Sequence, residues 1–173
     1  DPRNIISWIK THYSLDNYEK AKTMLFTSNQ AIGTNPKENR ETNFLTLIGS
    51  WSAHYNSWKN TKKNFLLIRY EDLITNTEKE LIRIIEYLKI FFEIDVSDEK
   101  IIKAINTSSF VSLKSLEKKG LFKESAFDKK TGKKKDFFNL GPNNNWHNLL
   151  DKRIGNEIEQ KFYTEMKELG YIN

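Results

Sequence analysis

The sequence predicts an α/β fold that is rich in helix and poor in strand. Three observations carry that expectation. Apolar residues recur every three or four positions over much of the chain, as in Ile5, Ile6, Ile9 and Tyr13 or Leu81, Ile84, Ile85 and Leu88, which is the spacing of amphipathic helices. One continuous apolar run, Phe65-Leu66-Leu67-Ile68-Arg69-Tyr70, stands between helical stretches with Asn64 and Glu71-Asp72 at its ends, as a strand buried on both faces would. A single strand builds no sheet, so the other strands of a parallel core are expected upstream of the chain or in a partner.

Element by element, Asp1 followed by Pro2 suits an N-cap and first helical position, which predicts a helix over about 3–13. Asp16 and Glu19 form a capping-box pattern ahead of Met24 and Leu25, predicting a second helix that ends near Ile32-Gly33. Residues 33–40 read as a polar connector. From Thr42, the positions Phe44, Leu47, Ile48, Trp51, Tyr55 and Trp58 predict one long helix whose aromatic stripe packs in the core. After the strand, Thr77 with Glu80 caps a helix whose Leu81, Ile84, Ile85 and Leu88 face inward, and Ser97-Asp98-Glu99 opens another through Ile101, Ile102 and Ile105. Residues 123–136, lysine-rich with Gly132, are expected to form a mobile basic loop, and Gly141-Pro142-Asn143-Asn144-Asn145 a tight polar turn. A last helix carries Ile154, Ile158, Phe162, Met166 and Leu169.

Composition bounds the function. With 173 residues, 38% hydrophobic and 13% aromatic, the chain can bury an ordinary core, as one domain or a large piece of one. No run approaches the roughly 18 apolar residues of a membrane span. The lack of cysteine excludes disulfide frameworks and thiolate metal sites and fits a reducing compartment, so the cytoplasm is the expected location. Asp1-Pro2-Arg3 has neither the basic flank nor the apolar centre of a signal peptide, and the chain is expected to begin inside something larger or to have been processed. The net charge of +5 is concentrated in Lys129, Lys130, Lys133, Lys134 and Lys135. Such a cluster favours polyanions, although a merely solvated loop is the preferred reading when it is taken alone, and without interleaved base-stacking aromatics a nucleic-acid partner is not expected. His12, His54 and His147 share no metal-site spacing with carboxylates, so no metal is expected, and His12 and His54 read as packing histidines.

The run Phe65 to Leu73, with Tyr70-Glu71-Asp72, resembles the strand and Tyr-Glu-Asp signature of the PAPS-dependent sulfotransferases, which use 3′-phosphoadenosine 5′-phosphosulfate as sulfuryl donor. The opening Asp1-Pro2-Arg3-Asn4-Ile5-Ile6-Ser7 resembles the family's Arg-Asp-Pro-Arg-Asp segment running into a helix with a phosphate-binding serine. Thr107-Ser108-Ser109-Phe110, the stretch from Gly141 through Trp146 and His147, and Met166 to Tyr171 follow in family order. The resemblance covers essentially the whole chain, 1–173, but only about the last two-thirds of a family domain, whose N-terminal part would lie upstream.

The resemblance implies a P-loop-like three-layer fold with a parallel sheet. It implies transfer of a sulfuryl group from PAPS to a hydroxyl or amine, on a small-molecule or a glycan or peptide acceptor, with no metal. The phosphosulfate loop and the general base would lie upstream, so no catalytic residue is expected within the chain, and the isolated chain is expected to be inactive. What remains is the 3′-phosphate and adenine half of the donor site. Ser7 matches the serine on the 3′-phosphate, although the family's usual spacing falls on Trp8, so that either a one-residue deletion puts Ser7 in that role or the site is altered. Tyr70 matches the tyrosine near the adenine, Ser109 and Phe110 the pair that touches the base, and Gly141 the glycine of an Arg-Lys-Gly segment. Asn139 and Leu140 depart from that segment, removing two cations, and the lysines Lys133, Lys134 and Lys135 just before it are candidates to replace them. His147 stands where the family usually has lysine. The rival readings are a non-catalytic remnant or binding module that keeps the fold but has lost donor binding, as the Asn139 and Leu140 departures allow, and, ranked last, a basic polyanion or nucleic-acid binder.

Overall fold

Side-chain caps at Asn17, Ser50, Ser109 and Asp151 set where four of the described helices begin, whereas the helix from Thr77 has Asn76 at its N-cap with no side-chain bond, so Thr77 and Glu80 do not form the expected cap. A computed structural model describes residues 1–32, 46–61, 64–122, 126–127 and 131–173. The chain divides into two compact units, one of Pro2–Phe65 with Trp146–Asn173 and one of Leu66–Asn145 with Asp1.

In the first unit, α1 (Pro2–His12) opens on proline, whose missing N–H costs nothing at a helix start. The second helix, α2 (Tyr18–Phe26), is capped by Asn17, whose side chain accepts the Lys20 N–H at 3.0 Å, so Asn17 and not Asp16 opens it. It also stops at Thr27, well before Ile32. The polar Thr27-Ser28-Asn29 stretch sustains helix poorly, and the Gln30 carbonyl instead accepts the N–H groups of Ile48 and Gly49, both at 2.9 Å. Beside that contact β1 (Ala31–Ile32) pairs antiparallel with β2 (Thr46–Leu47).

The long helix expected from Thr42 is correspondingly cut short. Leu47 is in β2, Gly49 takes φ +68°, and Ser50 caps α3 (Trp51–Lys59) by accepting the Ala53 N–H at 3.2 Å. Phe44, Thr42 and the proposed connector 33–40 lie outside the described residues. Near the C-terminus, α8 (Trp146–Leu149) precedes α9 (Lys152–Lys161) and α10 (Tyr163–Glu168). The single terminal helix read from periodicity is broken at Phe162 (φ −116°, ψ 25°), yet the inward stripe carries through the break.

That stripe is the core. Ile6 and Ile9 of α1, Ala21 and Leu25 of α2, Ile154 and Ile158 of α9, Phe162, and Met166 of α10 form one buried cluster. The Phe162 ring packs at 5.3 Å centroid distance on both Phe26 and Trp51. A charged seam runs along α2 and α9. Lys22 donates to Glu157 and, at 2.6 Å, to Glu19, and Arg153 donates to Glu157 at 2.7 Å and to Glu19. Lys22 and Arg153 together hold both carboxyls below the usual range, Lys22 being the larger cause for each. All four tryptophans, Trp8, Trp51, Trp58 and Trp146, belong to this unit.

The second unit is helical with one short strand pair. It contains α4 (Tyr70–Thr75), α5 (Thr77–Lys89), α6 (Asp98–Thr107) and α7 (Phe110–Lys118), then β3 (Ala126–Phe127) paired antiparallel with β4 (Lys134–Lys135), and a 3₁₀ turn at Gly141–Asn143. Half-buried Leu81, Ile84, Ile85 and Leu88 lie along α5 as periodicity predicts.

The expected strand at 65–70 is not formed. Residues 64–69 take neither helix nor strand, and Tyr70 already belongs to α4. A strand needs a neighbour to accept its backbone groups, and the pairs among the described residues, β1–β2 and β3–β4, are both short, antiparallel and elsewhere in the chain. Glu71 and Asp72 in the first turn of α4 suit a helix N-terminus. Within the stretch expected to be a mobile basic loop, Ala126 stands opposite Lys135 and Phe127 opposite Lys134; Lys129 and Lys130 lie outside the described residues.

Candidate functional site

Ser109 ends one helix and starts the next. It follows α6 by two residues and takes the extended backbone of an N-cap (φ −60°, ψ 147°), where its Oγ accepts the Ser112 N–H at 3.3 Å. The Ser112 hydroxyl lies 2.8 Å from that oxygen and donates to the Asn106 carbonyl at 2.7 Å. This cap fixes the direction in which Phe110 leaves the helix start, and the ring comes down on Gly141. A Cβ built on Gly141 would meet Phe110 Cε2 at 2.2 Å and Cζ at 2.5 Å, and Gly141 has φ +51°, so the position excludes a side chain on two counts.

The approach to Gly141 is held from below by a carboxylate. Glu117, 5% exposed, lies on the inward side of α7, and its two oxygens accept the backbone N–H groups of Phe137 at 2.6 Å and Phe138 at 3.0 Å. Phe138 packs edge-on against Phe110, with centroids 6.3 Å apart, and Phe122 covers Phe137 and Phe138 at 5.0 and 4.8 Å. Lys114, one turn after Phe110, places its ammonium 5.5 Å from the centroid of that ring and 3.5 Å from the Asn139 carbonyl.

Of the residues singled out from the sequence, Ser109, Phe110 and Gly141 are thus brought together in one unit. Tyr70 belongs to the same unit, as the 52% exposed first residue of α4. Beside it Arg69 grips Asp72 with two bonds, Nε at 2.7 Å and Nη2 at 2.8 Å, and that guanidinium holds the Asp72 carboxyl below its usual range.

Ser7 is in the other unit. It is 4% exposed and donates to the Asn4 carbonyl at 2.8 Å. Its neighbours in α1 are anchoring groups. Asn4 accepts the Trp146 N–H at 2.9 Å, and Arg3 donates to Glu159 at 2.5 Å and to the Tyr171 carbonyl at 3.0 Å while lying 4.3 Å over the Trp146 ring. His147 stacks on Trp146 at 3.7 Å, and His12 on Trp8 at 4.5 Å. The motif residues of α1 therefore build the first unit.

The family model described as "Sulfotransferase domain" matches residues 3–170, nearly the whole chain. The chain belongs to the sulfotransferase family. Rat (Rattus norvegicus) sulfotransferase 1E1 is 27% identical to it over 124 residues, which cover 69% of this chain and 40% of that protein. Among solved structures, mouse sulfotransferase SULT7A1 complexed with PAP is similar over 95% of this chain and 55% of its own, with a TM-score of 0.56 at 18% identity. That likeness shows an α/β sulfotransferase fold, here in a helix-rich stretch with few strands. The chain spans about half the length, or less, of both relatives.

Two residues of this candidate site, Glu117 and Lys114, escaped the sequence reading. Phe110, Leu113 and Glu117 share one helical face by their spacing, so an acidic residue on an otherwise apolar face was the available signal for Glu117. Lys114 carried none, because one lysine among many on a helix is ordinary.

Proposed function

We propose that the full-length protein transfers a sulfuryl group from PAPS to a hydroxyl or amine acceptor, and that this chain supplies the 3′-phosphate and adenine half of the donor site within a single domain. The observation that carries the reading is the seating of Phe110 on Gly141. An aromatic ring that could stack on a base stands directly against the glycine turn that the resemblance assigns to the phosphate. The PAP bound to the mouse relative supports the same donor class.

In this reading the acceptor oxygen or nitrogen attacks sulfur in line, the bond from sulfur to the 5′-phosphate oxygen breaks, and the acceptor proton passes to a base upstream of these residues. Ser109 and Phe110 hold the base, Tyr70 flanks it and Gly141 admits the 3′-phosphate. The parallel sheet and P-loop-like layers belong to the complete domain, where 65–70 would gain strand partners. A cytoplasmic setting is part of the proposal, on the cysteine-free composition.

Two observations favour a second reading, a binding module of the same fold that has lost donor binding. The Ser7 hydroxyl is buried and already engaged, and Asn139 and Leu140 stand where the family carries arginine and lysine. Calorimetric titration of PAP into full-length protein, followed by a sulfation assay with PAPS and a panel of phenols, alcohols and amines, separates the two. Binding with turnover supports the transferase. Binding without turnover on any acceptor keeps the donor site and defeats the transfer, and absence of PAP binding supports the module and defeats the donor reading altogether.

A further inference from the structure

We infer that Lys114 is the phosphate-binding cation of the donor site, standing in for the positive charge that Asn139 and Leu140 do not provide. The inference rests on the donor-site reading above and adds a residue to it. The ammonium sits where the charge is missing, 3.5 Å from the Asn139 carbonyl and over the ring that packs on Gly141. At that length the Asn139 contact is at the outer limit of a hydrogen bond, so the three donors of the ammonium remain almost wholly available.

Its charge is also uncompensated. Lys20, Lys22, Lys59 and Lys89 each pair with a carboxylate, whereas none pairs with Lys114 among the described residues. The carboxylate in this part of α7, Glu117, is turned inward and satisfied by two backbone N–H groups, so it does not compete. An unpaired ammonium, an aromatic face and a side-chain-free turn therefore meet in one place, the combination that suits an adenine nucleotide carrying a phosphomonoester. The lysines 133–135 are less well placed. The backbones of Lys134 and Lys135 lie in β4, and the side chains of Lys133 and Lys134 are exposed, whereas Lys114 already reaches the Asn139 carbonyl.

The test is calorimetric titration of full-length wild type, Lys114→Gln, Lys114→Arg and a Lys133/Lys134/Lys135 triple alanine variant, with PAP and with 5′-AMP, which lacks the 3′-phosphate. Glutamine keeps most of the stem over Phe110 and removes the charge, and thermal melting confirms that each variant folds. The expected result is that Lys114→Gln weakens PAP about 10- to 100-fold and 5′-AMP less than about threefold, while the arginine and triple variants stay within about threefold of wild type. Wild-type PAP affinity in Lys114→Gln, or equal losses for PAP and 5′-AMP, overturns the role of Lys114 and leaves the donor site standing. Failure of the wild type to bind PAP overturns the donor site and Lys114 with it.

Discussion

Replacing Gly141 by alanine tests whether the contact with Phe110 is as tight as its geometry states. The new methyl would lie 2.2, 2.4 and 2.5 Å from three carbons of the ring, against roughly 3.5–4.0 Å for ordinary carbon contacts, so the ring must retreat by more than about 1 Å. Phe138 stands edge-on beside that ring and Lys114 lies over it, so the retreat strains a packed neighbourhood. Overpacking of this kind costs about 1–3 kcal/mol, and a Cβ-bearing residue at φ +51° adds about 1–2 kcal/mol. Gly141→Ala should therefore destabilise by about 2–5 kcal/mol in urea unfolding followed by far-UV circular dichroism. The Phe110→Ala background removes the clash and leaves only the backbone cost, so the double variant should recover about 1–3 kcal/mol relative to the sum of the singles. If the two substitutions add within about 0.5 kcal/mol, the ring and the glycine are not in the contact described and the site argument loses its base.

In the core, Phe162→Ala should cost about 3–5 kcal/mol because the ring is fully buried between Phe26 and Trp51, while Tyr163→Ala next to it, 51% exposed, should stay within about 0.5 kcal/mol; similar losses from the two would refute the break at Phe162. Acidification should weaken the α2–α9 seam. Glu19 and Glu157 have folded pKa values depressed by Lys22 and Arg153, so their contribution is complete above the ordinary carboxylate range of about 4 and is lost as pH falls through the depressed values. Lys22→Ala should lower the melting temperature at neutral pH and flatten its fall on acidification, whereas Lys20→Ala, on an exposed pair with Asp16, should do neither.

The helical periodicities of α1, α5 and α9 were legible because one apolar stripe against one core needs no further information. The ends were not. Asn17, Thr27 and the Gly49-Ser50 pair overrode the stripe through single hydrogen bonds and one positive φ, which periodicity does not see. The strand at 65–70 shows the opposite limit. Its apolar run states a preference for burial, but a strand is a relation between two segments, and no second segment adjoins it among the described residues. Within the candidate site, Ser109, Phe110 and Gly141 were singled out only through the resemblance to the family. Glu117 was not, because its partners are main-chain groups that the sequence leaves anonymous, and α7, which carries it, has too short an apolar pattern to announce itself.

The placement of the tryptophans gives the chain an uneven optical signature. Indole emission from these residues is a report on Pro2–Phe65 and Trp146–Asn173 alone, while Leu66–Asn145, with Phe110 and Gly141 inside it, carries only the phenols of Tyr70 and Tyr87. An unfolding curve read by tryptophan and one read by ellipticity thus weigh the two halves differently. Where they separate, the interval between them reports on the half that holds Phe110 and Gly141, with no label introduced.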